Sequence, residues 1–417
     1  MKQFPETVRN SADIVRVVSE YVTLKGAGSS LKALCPFHSE KTPSFSVSRD
    51  RQSFHCFGCG VGGDVFSFIM KIENVTFPEA LKIVAEKFGV PIPEDDRGYD
   101  RKADERKRLF EFNERAGTYF RRALASEQAG QAQQVLRKRQ IDPVFVEKFQ
   151  LGYAPPSGLL AFLKAKDPVS TGLFSKSEHG DVFDRFRHRL MFPIWDERGK
   201  PIAFGGRALG DVEPKYLNSP ETPVYRKSSV LYGLHFARES AQRAGRLVVV
   251  EGYFDCLSLV QNGIENVVAS CGTSLTQDQV GLMARYVPEV VMNYDPDTAG
   301  QNAMRRSIDL LLAKGLRVRI LHLPERLDPD DFVRKHGPDV YNRLLANAPY
   351  FWQYLTTESM KHYDLQDPGM KANAVKDVLQ FVAKIQDRVE RLEVSRSIAE
   401  RFKVPEAVLF EQLNLTP

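Results

Sequence analysis

Two sets of side chains in this sequence have the types and spacing to do chemistry. The first reads Cys35-Pro-Phe-His38, then a gap of 17 residues, then Cys56-Phe-Gly-Cys59. Two such pairs are a zinc signature, because a two-residue spacer in a tight turn lets both side chains face one ion. Gly58, Gly60, Gly62 and Gly63 supply the backbone freedom that such knuckles need. Three thiolates and one imidazole close a tetrahedron, which predicts one structural zinc ion with no open coordination position. His55 competes for the fourth place, and His38 has the better spacing.

The second set is acidic. Glu251 directly follows Arg246-Leu-Val-Val-Val250, with Asp255 four residues on. Asp295-Pro-Asp297 follows Val290-Val-Met-Asn-Tyr294, and Asp328-Pro-Asp-Asp331 follows the apolar run at 318–323. Singly, an Asp after a strand caps a helix, and Asp-Pro-Asp makes a turn. Together, three carboxylate groups at one edge repel each other unless a cation neutralises them. Hard oxygen ligands with few other donors select magnesium or manganese. Such an ion, or a pair, can activate a hydroxyl, orient a phosphate and stabilise a leaving pyrophosphate.

These residues need elements to position them. Residues 246–323 alternate strand patterns (247–250, 267–269, 290–292, 318–323) with helical ones (256–261, 277–285, 299–313). That alternation predicts a mostly parallel sheet with helices on its faces, and the acidic groups fall just beyond the strand carboxyl ends, where such sheets bind ligands. Residues 44–48 and 54–56 predict the two strands of a zinc-ribbon hairpin. Around them Lys32, Lys41, Arg49 and Arg51 interleave with Phe45, Phe54 and Phe57. That mixture suits single-stranded nucleic acid, and equally suits packed rings and solvated charges. Residues 76–89 predict a helix with Pro78 in its first turn and Gly89 as its stop, closing a first module near Pro93. Residues 95–108, dense in charge of both signs, predict a linker or an exposed helix start. Residues 190–195 and 201–204 predict strands joined by a turn containing Gly199. The tail, 350–417, has helical periodicity at Val375, Val378, Leu379, Val382 and Ile385, which predicts an α-helical bundle.

Composition sets the outer bounds. With 417 residues, 42% hydrophobic and 27% charged, the chain has material for more than one core, and two to four domains at roughly 100–200 residues each. No apolar run approaches the ~18 residues of a membrane span, and the first residues lack the apolar core of a signal peptide. Collagen, disordered, membrane and secreted-knot classes are excluded. Five cysteines, an odd count without an export signal, argue against a disulfide framework and leave Cys256 and Cys271 as packed thiols. The net charge is +5 and unevenly spread: residues 101–250 hold 27 Lys and Arg against 17 Asp and Glu, and residues 251–331 hold 7 against 12. A basic stretch feeding an acidic one suits a polyanion held beside a metal-binding centre.

Glu251-Gly-Tyr-Phe-Asp255, Asp295-Pro-Asp-Thr-Ala-Gly300 and Asp328-Pro-Asp330 resemble the Toprim motifs. With the Cys-His-Cys-Cys site, they make the chain similar to bacterial DNA primases of the DnaG type over about residues 1–340 and more loosely beyond. Asp184-Arg-Phe-Arg187, Phe192-Pro-Ile194, Phe204-Gly-Gly-Arg207, Pro214-Lys-Tyr-Leu-Asn-Ser-Pro-Glu-Thr222 and Leu231-Tyr-Gly233 agree with that family. The resemblance implies a multidomain α/β protein, α+β overall. Its parts would be a zinc-ribbon DNA-binding domain (1–95), a charged linker (96–109), a mixed α/β basic subdomain (110–240), a Rossmann-like Toprim sheet (241–335) and a helical subdomain (336–417). It implies a cytoplasmic DNA-directed RNA polymerase of the replication fork, making short RNA primers on single-stranded DNA from ribonucleoside triphosphates.

By the same resemblance, Glu251, Asp295 and Asp297 hold catalytic Mg2+ or Mn2+, with Asp255, Asp328 and Asp330 supporting. Cys35, His38, Cys56 and Cys59 hold Zn2+, and the zinc module helps recognise the template start. Arg207, Lys215 and Lys227 match a basic ridge facing template and nucleotide phosphates, and Arg185 and Arg187 match a further basic strand. Lys148 stands where the family often has Arg, which keeps the charge and loses the planar two-pronged contact. The family's helical domain for binding the replicative helicase is expected to be absent, since the chain stops at Pro417, about where the polymerase region should end. Either the chain is a shortened form or it meets its helicase by another route.

Rival readings are a Toprim nuclease or topoisomerase and a zinc-ribbon DNA-binding adaptor with an inert sheet. The length leaves little room for strand-passage domains. The adaptor reading leaves the clustered acids unexplained. No Gly-x-x-x-x-Gly-Lys-Ser/Thr loop occurs, which excludes a fused helicase motor.

Overall fold

The chain divides into two units after Glu105. The structure, a computed structural model, describes residues 3–26, 30–38, 40, 42–73, 75–92, 97–272, 274–295 and 297–415, with backbone alone at Gln3, 97–103 and Ala299. Lys41 and the expected close of the first module at 93–95 lie outside the described residues.

In the first unit, strands Ser30–Ala33, Phe45–Ser48, Ser53–Cys56 and Gly62–Gly63 form an antiparallel sheet in that order. Strand alternation sends Phe45, Val47, Phe54 and Cys56 inward and Ser46, Ser48, Ser53 and His55 to the other face. Phe37, Phe45, Phe54 and Phe68 pack into one cluster with ring centroids 5.3 to 6.1 Å apart. Phe45 and Phe54 are thus core residues, and of the three rings read as nucleic-acid partners only Phe57, 76% exposed, is open to solvent. Helix Phe77–Lys87 begins at Thr76 in a capping box with Glu79, and Gly89, at φ +64°, follows its end. Helix Arg97–Leu124 runs through the charged stretch.

The second unit holds an antiparallel sheet in the order Tyr216–Asn218, Pro201–Ala208, Arg189–Trp195, Gly152–Ala154. Its central hairpin turns where expected, with the Asp196 carboxylate accepting the amides of Arg198 and Lys200, each at 2.9 Å. Beside it stands a parallel sheet in the order Val267–Ala269, Arg246–Val250, Glu289–Met292, Arg317–Ile320. Residues 247–250 and 289–292 are buried throughout, as a parallel sheet covered on both faces requires. The chain leaves Arg246–Val250 for the strand on one side and then crosses to the strand on the other. The carboxyl end of Arg246–Val250 is therefore the topological switch point. Helices Phe351–His362, Pro368–Val382, Arg388–Phe402 and Glu406–Gln412 bury Val375, Val378, Leu379, Val382 and Ile385 in one core with Leu247, Val249, Val290 and Met292 of the parallel sheet. Among the described residues, no helix is long and apolar enough to cross a membrane.

The two sheets meet through Tyr253, which stacks on Phe192 at 4.7 Å and donates from its hydroxyl to Asn218 Oδ1 at 2.8 Å. Gly205 lies under this ring, and a Cβ there would collide with it. Gly205→Ala should destabilise the second unit by about 1–3 kcal/mol through overpacking. Thermal unfolding checks this, and a midpoint equal to wild type would contradict the tight approach.

Candidate metal centres

The zinc-type ligands converge. Sulfur, nitrogen and sulfur atoms of Cys35, His38, Cys56 and Cys59 all lie within 4.8 Å of one another. The Cys35 and Cys59 sulfurs are 3.9 Å apart, and Cys56 Sγ is 3.8 Å from His38 Nδ1. Zn–S bonds of about 2.3 Å at tetrahedral angles place sulfurs about 3.8 Å apart, so the four atoms fit one zinc ion. His55 stands apart from this group, its ring edge-on to Phe57 at 4.8 Å. Glu40, which the motif did not reveal, organises the loop. It accepts from the Cys35 amide at 2.8 Å and the Ser44 amide at 3.1 Å, and lies 3.3 Å from His38 Nε2. A carboxylate on the far imidazole nitrogen fixes the tautomer and leaves Nδ1 for the metal. Gly58 is needed here, since a Cβ would sit 2.7 Å from His38 Nε2.

In the second unit the topology delivers acids from three neighbouring strands to the switch point. Glu251 Oε1 accepts the Asp295 amide at 3.0 Å. Asp297 and Asp328 both cap helices. Asp297 accepts from the Gly300 amide at 2.7 Å at the start of Thr298–Ala313, and Asp328 accepts from the Asp331 amide at 2.6 Å at the start of Pro329–His336. Asp328, Asp330 and Asp331 bring carboxylate oxygens within 4.8 Å of one another. Gly300 was quoted in the sequence motif without a role. A Cβ there would meet Glu251 Oε1 at 2.7 Å and also the Asp295 carbonyl. Asn293, 1% exposed, pins the strand end beneath Asp295 by donating to the Leu321 carbonyl at 3.1 Å and accepting from the Tyr341 hydroxyl at 2.8 Å.

These carboxyls resist ionisation. Burial, then Asp295 and Asp297, push Glu251 up to about 7. Burial, then Asp328 and Asp297, push Asp295 up to about 6. Asp255 and Asp328 are raised as well, by burial first. Asp295 Oδ1 is buried and, among the described residues, accepts no hydrogen bond. Desolvated, mutually repelling oxygens with a free acceptor fit a divalent cation. Asp255 and Asp330 differ from the rest. Asp255 accepts from the Gly252 amide at 3.0 Å and the Asp330 amide at 3.4 Å. Asp330, fully buried, pairs with Arg139 and, at 3.0 Å, with Arg334. Arg334 stands four residues after Asp330 on one helix, a spacing visible in the sequence, whereas nothing in the sequence marks Arg139.

The basic residues divide. Arg207 lies 5.5 Å from the Phe254 ring, with Arg139 5.3 Å from the same ring, so it stands beside the acidic edge. Its Nε is buried without a partner. Lys227 is half-buried near Cys271, whose amide donates to the Glu251 carbonyl at 3.0 Å. Lys215 is exposed on the approach to strand Tyr216–Asn218. Arg185 is half-buried and donates to the Asn218 carbonyl at 3.1 Å. Arg187 is exposed over Phe183 at 4.7 Å, and Lys148 is exposed over Phe145 at 5.4 Å.

Carboxylates gathered at the switch point of a parallel sheet, beside an arginine-bearing antiparallel sheet, define a Toprim-class enzyme. Family models agree: the CHC2 zinc finger matches residues 1–100, the N-terminal domain of the DNA primase catalytic core 119–238, and the Toprim-like family 248–333. The DNA primase of Clostridium acetobutylicum is 40% identical over 98% of this chain and 69% of its own, and that of Halalkalibacterium halodurans 38% identical over 96% and 68%. The crystal structure of the Aquifex aeolicus primase (zinc-binding and RNA polymerase domains) is 34% identical with a TM-score of 0.65, covering 99% of this chain and 100% of that one. The E. coli primase catalytic core is 33% identical with a TM-score of 0.65, over 71% and 98%. The chain belongs to the bacterial DnaG-type DNA primases, nucleotidyltransferases of DNA replication.

One expectation is overturned. The DnaB-helicase binding domain of primase matches residues 350–407, so this chain does carry that region. The apolar spacing of these helices reports the face they bury and holds no mark of an outside partner, so sequence periodicity alone showed only a bundle.

Glu40→Gln should weaken zinc affinity roughly 10- to 100-fold while leaving the ligands in place. Zinc retention against a graded chelator measures this, and unchanged retention would remove Glu40 from the centre. A carboxyl raised in the folded state contributes stability that is full below its unfolded pKa and lost as pH rises through the folded value. With Glu251 at about 7 and Asp295 at about 6, zinc-loaded protein without other metal should lose stability as pH rises from about 4.5 to about 7. Magnesium should restore it at the upper end and do little at the lower. A flat calorimetric midpoint, unmoved by magnesium, would count against the coupled cluster.

Proposed function

We propose that the Toprim edge is the nucleotidyl-transfer site, with Glu251, Asp295 and Asp297 as the principal ligands of Mg2+ or Mn2+ and Asp328 beside them. The buried, unpartnered Oδ1 of Asp295, flanked by Glu251 and Asp328, carries this reading. Asp255 and Asp330 support it by fixing the turns. Bound there, the cation supplies Lewis-acid activation of a 3′-hydroxyl and balances charge on the leaving pyrophosphate. The chain's own groups position the reactants. Arg207, Lys215 and Lys227 face template and nucleotide phosphates, with Arg185, Arg187 and Lys148 extending the basic surface. Contacts of this kind hold single-stranded DNA without regard to sequence and weaken with salt. The substrates are ribonucleoside triphosphates, the product is a short RNA primer, and the reaction takes place in the cytoplasm at the replication fork. The Cys35, His38, Cys56 and Cys59 centre holds one structural Zn2+ and keeps the ribbon folded for template recognition. The helices matched at 350–407 receive the replicative helicase.

Incubation with single-stranded DNA, ribonucleoside triphosphates and magnesium tests the reading: new short RNA supports it, and shortened DNA with no RNA indicates a nuclease. Glu251→Gln and Asp295→Asn should each reduce synthesis by roughly a hundredfold or more while largely sparing DNA binding. Near-wild-type synthesis by either variant would remove that residue from the metal role.

A further inference from the structure

Two of the three carboxylate-bearing segments are gripped from the side remote from their acids. Helix Thr298–Ala313 starts at the Asp297 cap, and its first turn places Gly300 against Glu251. About one and a half turns further on, Arg305 donates Nη1 and Nη2 to the two oxygens of Asp377, both at 3.1 Å. Asp377 belongs to helix Pro368–Val382 of the bundle. It also accepts from Ser359 Oγ at 3.3 Å, on helix Phe351–His362, with Ser359 2% exposed. The second segment is held in the same way. Arg319, on the strand leading to Asp328, stacks 4.0 Å over Tyr350 and donates to the Ala348 carbonyl at 2.7 Å, and the Ile320 amide donates to the Pro349 carbonyl at 2.9 Å.

A two-pronged arginine–carboxylate bond fixes direction as well as distance. A helix is stiff along its length, so a rotation or slide at Arg305 arrives at Asp297 and Gly300. Glu251 and the Asp295 backbone leave no free space against Gly300, so that movement displaces the carboxylates themselves. We propose that Arg305 and Asp377 are a positioning pair through which the helical bundle sets the geometry, and so the divalent-metal affinity, of the Toprim edge. The inference rests on the metal-binding reading of that edge. It also makes the bundle matched to helicase binding a place from which metal affinity can be altered.

The test is Mn2+ binding to the zinc-loaded full chain, followed by electron paramagnetic resonance, alongside the magnesium dependence of RNA synthesis. Arg305→Ala and the near-isosteric Asp377→Asn should each weaken Mn2+ binding, and raise half-saturating magnesium, by roughly two- to thirtyfold. Affinity for single-stranded DNA should stay at the wild-type value. The double variant should lose little more than either single one, because both remove the same bond. Arg305→Lys should not restore affinity, since the fork is lost. Wild-type Mn2+ affinity in both single variants, or fully additive losses in the double, would overturn the pair's role even if thermal stability falls. Glu251→Gln serves as the reference: if it too binds Mn2+ normally, the metal reading of the edge fails, and the two failures are thereby told apart.

Discussion

The fold's central constraint is the repulsion among carboxylates held close together out of water. A parallel sheet meets it through backbone geometry. Strands Arg246–Val250, Glu289–Met292 and Arg317–Ile320 are hydrogen-bonded neighbours that end on the same side, so the residues beyond them converge whatever their charge. What makes convergence tolerable is local. Amides of Gly252, Asp295, Gly300 and Asp331 each donate to one carboxylate of the set. These bonds anchor the oxygens facing the backbone, with helix N-termini adding favourable dipoles under Asp297 and Asp328. The charge left over is relieved by protonation, as the raised Glu251 and Asp295 show, or by a cation.

The basic sheet is placed by the same contacts that shape the acidic edge. Phe254, in the turn of helix after Glu251, has the guanidiniums of Arg139 and Arg207 at 5.3 and 5.5 Å from its ring centroid. Tyr253 is seated on Phe192 and Asn218. Arg189, buried and without an ion-pair partner among the described residues, donates to the carbonyls of Gly206 at 3.1 Å and Pro214 at 2.8 Å. It thereby ties strand Arg189–Trp195 to the stretch that carries Lys215. Burial and the nearby Arg185 lower its pKa, so this bracing costs stability that the surrounding core offsets. Of the basic residues in 101–250, Arg139 and Arg207 stand beside the acidic edge, each within 5.5 Å of the Phe254 ring.

What could be read from the sequence was local in the chain. The zinc-type ligands are separated by two residues within each pair, and the strand–helix alternation of 246–323 repeats within a window that periodicity resolves. The strand hairpin at 190–204, the helix with Pro78 in its first turn and Gly89 as its stop, and the buried Val375-to-Ile385 stripe were legible for the same reason. What escaped was long-range. Arg139 and Asp330 are 191 residues apart, and Arg305 and Asp377 are 72 apart. Nothing in an isolated Arg137-Lys-Arg139 run shows that its last member turns inward. Phe45 and Phe54 were open to two readings, nucleic-acid contact or packing, and the side of the sheet they face settles them as core. Glu40 and Gly300 have roles set by what approaches them in space, and spacing along the chain does not encode that approach.

Asp330 shows how the two ways of neutralising a carboxylate divide the cluster. A fully buried carboxylate held by one arginine through each oxygen stays compensated, and loss of one arginine still leaves it paired with the other. Each oxygen of Asp330 already accepts from an arginine, so a metal there would compete with two ion pairs. Asp295 is the reverse case: it is flanked by acids, no arginine pairs with it among the described residues, and one oxygen has no partner. Among the described residues, protein cations thus fasten Asp330, whereas Glu251, Asp295 and Asp328 have no arginine or lysine ion pair. Under the proposed metal-binding reading, that separation leaves the loop Asp328-Pro-Asp-Asp331 rigid at Asp330 and open to a cation at Asp328.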